Sequence, residues 1–341
     1  MVGPRKKAKD ASLTSSGKRA LTNAVDARLS IPALSKKEKR DALLAKRNLQ
    51  ASNHGMLEAP KTFYRPAMSI DQALDDTGWC CIIPNVNAST AGRVAEFVSS
   101  ALNSSYPELR ASQEHSIALH ANILAALTDV LIGSVAGRHV VIPAQGRERL
   151  PRSACLIIKS GSDAVVITHG TISSNADDIA EWRRVQYKAR SLGSMLARFK
   201  VLLSRSYYPH SMHVTYEGLA LGGSPLTKKN LPVLGLVAGR LIEGLVEDGG
   251  ISPEQLLEMP ISSWKLAFAG HPLADKNMVK KRLELLTGIV FARQDEDNVI
   301  DATAMAILEA TSPNGFGKPT NGRILPKQIV KKTSVLSPGT K

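Results

Sequence analysis

Apolar residues along this chain recur mostly at helical spacing, with polar clusters between them that mark starts and stops. The clearest case is the stretch 175–208, where Leu192, Met195, Leu196, Phe199, Leu202 and Leu203 fall three and four residues apart and so form one apolar face. Asn175, Asp177 and Asp178 supply capping groups and acid at its start, which suits the helix dipole. The same spacing predicts helices over 89–102, 112–135, 231–247, 278–291 and 299–311, a short helix at 69–75, and another opened by Ser252-Pro253-Glu254. Strand patterns are fewer. They comprise 79–83, 139–142, and a hairpin in which 155–158 and 165–168 flank the turn Ser160-Gly161-Ser162-Asp163. The expected fold is mainly α with a small β-hairpin, arranged as two helical lobes. The lobes span 63–217 and 218–315, with a hinge at Gly218, Gly222, Gly223 and Pro225.

Charge changes this picture at the ends. Residues 1–65 hold fifteen basic and five acidic side chains, net +10, and residues 316–341 hold six basic and no acidic ones, net +6. The intervening core is slightly acidic at net −2, although the chain as a whole carries +14. Residues 1–62 are also poor in large apolar side chains, so they are expected to form a disordered basic arm, and 316–341 a basic flexible tail. The basic runs Arg5 to Lys9 and Lys36 to Arg40 have the composition of nuclear-import signals and of plain phosphate contacts alike.

Arg183, Arg190, Arg198 and Arg205 lie seven, eight and seven residues apart on the longest helix, about two turns each, opposite its apolar face. A planar guanidinium grips phosphate oxygens in pairs, so this row is a candidate nucleic-acid-binding wall. Arg184, Tyr187, Lys188 and Lys200 share the helix, Tyr207 and Tyr208 follow it, Arg147, Arg149 and Arg152 lie in a Gly- and Pro-bounded loop before it, and Lys228 and Lys229 lie in the hinge. One continuous basic surface is expected from Arg147 to Tyr208.

Motifs for chemistry are absent from the sequence. Gly315 to Pro319 lacks the spacing of a phosphate-binding loop, and no Ser or Cys sits in a nucleophile elbow. His210 and His213, like His115 and His120, lack a Cys or carboxylate partner at metal-site spacing. No pair of carboxylates is marked out, so no catalytic residue, metal or cofactor is expected, and the chain is read as a non-enzyme. Cys80, Cys81 and Cys155 do not make a disulfide framework, which implies a reducing compartment. No secretory leader is expected, and the apolar window 117–137 reads as a buried helix because it contains Asp129.

A basic arm, two helical lobes, an internal arginine face and a basic tail together resemble the organisation of nucleocapsid and coat proteins of single-stranded RNA viruses. That resemblance implies a protein that packages single-stranded RNA by its phosphate backbone, assembles with copies of itself through the terminal arms, and resides in the virion and host cytoplasm, with the nucleus open through the basic runs. No insertion into a membrane is implied. Three alternatives remain: a cellular RNA-binding or ribosome-assembly factor, an enzyme acting on nucleic acid whose site no motif encodes, and a viral movement-type nucleic-acid-binding protein.

Overall fold

A computed structural model describes residues 62–73, 76–104, 113–141, 153–173, 181–206, 212–218, 225–288 and 297–319. The expected basic arm, apart from Thr62, and the tail beyond residue 319 lie outside these residues.

Apolar residues in the strands run without alternation, which is the mark of a sheet covered on both faces. Strand β1 (Ala67–Asp71) is buried at every position, and β2 (Asp76–Val86) is buried over most of its length. Its side chains separate into two cores. Trp79, Cys81 and Ile83 join Met68 and Ile70 on one side, whereas Cys80 and Ile82 join Ala67 on the other. Strands β3 (Gly137–Val141), β4 (Ala154–Ser160), β5 (Asp163–Ser173), β6 (His213–Glu217), β7 (Leu256–Met259) and β8 (Lys318–Pro319) complete one sheet in the order β3-β4-β5-β2-β1-β6-β7-β8. The meander through β5 is antiparallel, and β1, β6 and β7 are mutually parallel.

The first core is closed by helices α1 (Ala91–Ser104), α2 (Gln113–Leu131), α3 (Glu181–Arg205) and α4 (Pro225–Glu247). The second is closed by α5 (Ile261–Ala269), α6 (Lys276–Thr287) and α7 (Asp297–Thr311). The result is three layers, helices on both faces of a mixed sheet.

This architecture corrects the expectation of a mainly helical chain with a small hairpin and two helical lobes. The sheet runs through both expected lobes, because β6 before the expected hinge pairs in parallel with β7 after it. The mostly helical, capsid-like organisation is therefore replaced by a mixed α/β one. Three strands account for the difference. The segment of β1 was expected as the start of a short helix, β6 as loop, and β7 as a continuation of the helix opened at Ser252. Only a 3-10 turn forms there, at Pro253–Gln255. Among the described residues no helix is long and apolar enough to cross a membrane.

Two contacts fasten α7 across the parallel strands. At its C-terminal end Glu309 is fully buried and accepts from His213 on β6 at 2.7 Å and from the backbone N–H groups of Phe316 and Gly317 at 2.7 and 2.9 Å. At its N-terminal end the Asn298 side chain donates to the Asp76 carbonyl at 2.5 Å. There the backbone comes so close to β2 that a Cβ on Gly78 would lie 2.2 Å from the Asn298 carbonyl oxygen. Since Gly78 is the register partner of Asp71, this glycine sets how close α7 comes to the end of β1. Gly78→Ala is expected to push α7 off the sheet and lower stability by about 1 to 3 kcal/mol, the usual cost of overpacking, measured by urea unfolding.

Candidate active site

Parallel pairing of β1 with β6 puts their last residues side by side. The register aligns Ser69 with Thr215 and Ile70 with Tyr216, so Asp71 and Glu217 end adjacent strands. Strand side chains alternate, hence both carboxylates face the same way as Ser69 and Thr215, whose hydroxyls hydrogen-bond to each other. That face is the one α7 covers. Asp301 and Glu309 lie eight residues apart on α7, close to two turns, and share its inner side. Glu309 is satisfied by His213, and Asp301 stands against Asp71 and Glu217.

Three carboxyl groups thus converge from positions far apart in the chain. Asp71 is 6% and Asp301 4% exposed, and Glu217 is partly buried. Burial is the larger cause of the rise in the Asp71 pKa, followed by the charges of Glu217 and Asp301. Burial and then the Asp301 charge push Glu217 up to about 7. Asp301 is raised chiefly by burial, against the opposing pull of Lys265 on α5 and Lys276 at the start of α6. Lys276 is shared with Asp297, at 3.3 Å. At Asp71 the neighbouring carboxylates outrank the two lysines, whereas at Asp301 the lysines outrank Asp297 and burial alone accounts for the rise.

Specific hydrogen bonds hold the arrangement. The fully buried Trp264 of α5 donates its indole N–H to Glu217 Oε1 at 3.1 Å. Gln72, next after Asp71, donates to the Glu217 carbonyl at 2.5 Å and so ties the ends of β1 and β6 together. Asp301 Oδ1 is buried and without a hydrogen-bond partner among the described residues. No group of three His, Cys, Asp or Glu among those residues is arranged to hold a metal ion as it stands. The site lies beyond the carboxyl ends of two parallel strands, where the chain leaves β1 to one side and β6 to the other, the usual place for a ligand in an open α/β sheet.

The residues singled out in the sequence lie elsewhere. Arg183, Arg190, Arg198 and Arg205 are all exposed on α3. Arg183 lies over the Trp182 ring, 5.2 Å from its centroid. Arg190 lines a groove against α4, whereas Arg198 turns to Ser100 on α1, so these two serve different sides of the helix. Arg93 of α1 donates to the Arg205 carbonyl at 2.9 Å. Tyr187 is exposed and Arg184 half-buried. Lys188 is fully buried and donates to the Ala73 carbonyl at 3.4 Å, and Lys200 donates to the Gly250 carbonyl. Lys228 and Lys229 fall within α4. Arg147, Arg149, Arg152, Tyr207 and Tyr208 lie outside the described residues. The sequence reading missed Asp71, Glu217, Asp301, Trp264, Lys265 and Lys276. The available signal was the run Val214-Thr215-Tyr216, strand-forming residues that end on an acid.

A carboxyl pKa raised by folding means that the folded chain holds a proton the unfolded chain releases. Its contribution to stability is full below about 4.5 and is lost as pH rises through about 7 for Glu217. Without divalent cations, Glu217→Gln is expected to be more stable than the natural chain at pH 8 by roughly 1 to 3 kcal/mol and equal to it near pH 4. Urea unfolding at the two pH values checks this.

No protein-family model matches the sequence, and no curated protein matches it. Among solved structures, Thermus thermophilus RuvC is similar with 13% identity and a TM-score of 0.35, over 72% of this chain and 93% of that one. T. thermophilus RuvC in complex with Holliday junction substrate is similar with 16% identity and a TM-score of 0.34, over 54% of this chain and 99% of that one. Likenesses this weak carry neither the fold nor the function of this chain.

Proposed function

We propose that this chain is a phosphodiesterase that cuts nucleic acid with the help of divalent cations held at Asp71, Glu217 and Asp301. The observation that carries this reading is the convergence of Asp71, Glu217 and Asp301, each raised chiefly by burial, with the charges of Glu217 and Asp301 raising Asp71 further. Burying uncompensated charge costs several kcal/mol per ion, and an orphaned Asp301 oxygen adds to that cost. Both are relieved by a cation. The ion would draw the carboxylates together from the positions they hold without it, since as they stand they do not form a ready cage.

Oxygen donors of this kind suit magnesium or manganese. When bound, such ions polarise a phosphoryl oxygen and lower the pKa of water. The chain's own groups do the remainder. Asp71 and Glu217 are fixed by their adjoining strand ends, Gln72 and Trp264 hold Glu217 in place, and Lys265 and Lys276 add positive charge beside the phosphate. Nucleic acid is the matching substrate class, because a chain of net +14 with exposed arginines on α3 attracts a polyphosphate.

Cleavage of DNA and RNA oligonucleotides in the presence of magnesium or manganese tests the proposal. The natural chain should cut and a chelator should stop it. Asp71→Asn should slow cutting by about 10²- to 10⁴-fold while still binding the oligonucleotide. Cutting that persists with chelator, or in Asp71→Asn, contradicts it.

A second reading is favoured by the exposed arginines alone: a non-enzymatic RNA-binding factor that grips the backbone and in which the carboxylates are structural. It predicts that Arg183→Ala with Arg190→Ala weakens binding equally for all sequences and flattens its salt dependence, with no cleavage by any variant. Binding measured across a salt series, beside the cleavage assay, separates the two.

A further inference from the structure

Trp182, in the first turn of α3, is 61% exposed, whereas the two other tryptophans of the chain, Trp79 and Trp264, are fully buried. The Arg183 guanidinium lies over its ring. It also begins a groove of about 570 Å3 between α3 and α4, with Val185, Val233 and Leu236 as apolar walls.

The direction of α3 decides what this indole is near. Lys188, less than two turns further along, reaches the Ala73 carbonyl, two residues past Asp71. At the other end, the Arg205 carbonyl accepts from Arg93 of α1, the helix that follows the end of β2. Because β2 is antiparallel to β1, that contact lies at the start of β1. Helix α3 therefore runs antiparallel to β1, and its first turns stand at the same end of the sheet as Asp71 and Glu217. Helix α3 covers the Met68 and Ile70 face and α7 the opposite one, so the indole and the carboxylates flank the strand ends from two sides.

Charge is divided along the groove. Arg183 sits at the Trp182 end through its place over that ring, whereas Arg190, beside the stretch of α4 at Gly244, lies in the far part with Glu247 and Asp248, and Arg240 is already paired to Glu243 at 2.6 Å. Phosphate is thus welcome at the Trp182 end and repelled beyond it.

We infer that Trp182 with Arg183 is a stacking platform for an unpaired base of the nucleic-acid strand whose phosphate lies at Asp71, Glu217 and Asp301. This rests on the proposed function for the identity of the strand. An indole face stacks any base, and a guanidinium beside it adds attraction for both the base and its phosphate, so the platform tolerates sequence while fixing where the strand lies. A strand that reaches both places bends round the ends of β1 and β6, which an unpaired segment does at little cost.

Tryptophan fluorescence of the full chain, titrated with a short single-stranded oligonucleotide in chelator, reads this directly because Trp182 is the exposed indole. The oligonucleotide should quench the solvent-accessible part of the emission. Trp182→Ala should weaken binding roughly 5- to 100-fold and Trp182→Phe should keep most of it. Unchanged binding by Trp182→Ala overturns the platform. So does shielding of Trp182 when protein concentration is raised without oligonucleotide, which marks a second copy in the groove. Since the titration needs no cleavage, quenching without any cutting in magnesium would retain the platform and remove the enzyme. Cutting with full binding by Trp182→Ala would do the reverse.

Discussion

The parallel pairing of β1 with β6, closed over by α7, is the constraint on which the rest depends. Two strands that end together on an acid each, under a helix that brings a third, hold like charges close enough to feel one another. Folding normally selects against that, because the repulsion and the lost hydration both count against the native state. Here the arrangement is enforced from several sides. The hydroxyl pair of Ser69 and Thr215 and the Gln72 side chain lock the strands together, Gly78 admits the α7 backbone, and Glu309 with His213 anchors the far end of that helix. A cluster raised in pKa by burial yet held by so many ordinary contacts is the feature on which the proposed cleavage rests.

The surroundings separate the three acids. Glu217 has the indole N–H of Trp264, Asp301 has an oxygen with no partner among the described residues, and Asp71 is raised by the charges of both Glu217 and Asp301. Lys265 and Lys276 come from α5 and α6, which follow β7 and bring positive charge to the same strand ends. The two faces of the sheet therefore contribute different things: carboxylates and lysines from the α7 side, an exposed indole and guanidinium groups from the α3 side.

Much of the helical layer was legible because its signal is local. The period of 192–203 identified the buried face of α3, and the hairpin of β4 and β5 was visible in its turn residues. The sheet was not legible, for two physical reasons. Strand β1, buried on both faces, has no alternation to read, and its Ala-Met-Ser-Ile-Asp composition suits a helix as well. Strand β7, Leu-Leu-Glu-Met, consists of good helix formers overridden by its place beside β6. The site was hidden for the same reason, since Asp71, Glu217 and Asp301 become neighbours only through the pairing of β1 with β6 and the packing of α7 over them. The arginines were conspicuous in the sequence because their spacing is local, and the structure sends Arg190 and Arg198 to different sides of one helix.

The most direct test is crystallographic: crystals of the full chain soaked in manganese, with anomalous difference maps collected at the metal's absorption edge. A peak bounded by the carboxylates of Asp71, Glu217 and Asp301, and absent from crystals of Asp301→Asn, is the result this account predicts. No peak there, with the three groups sharing protons among themselves instead, would contradict it.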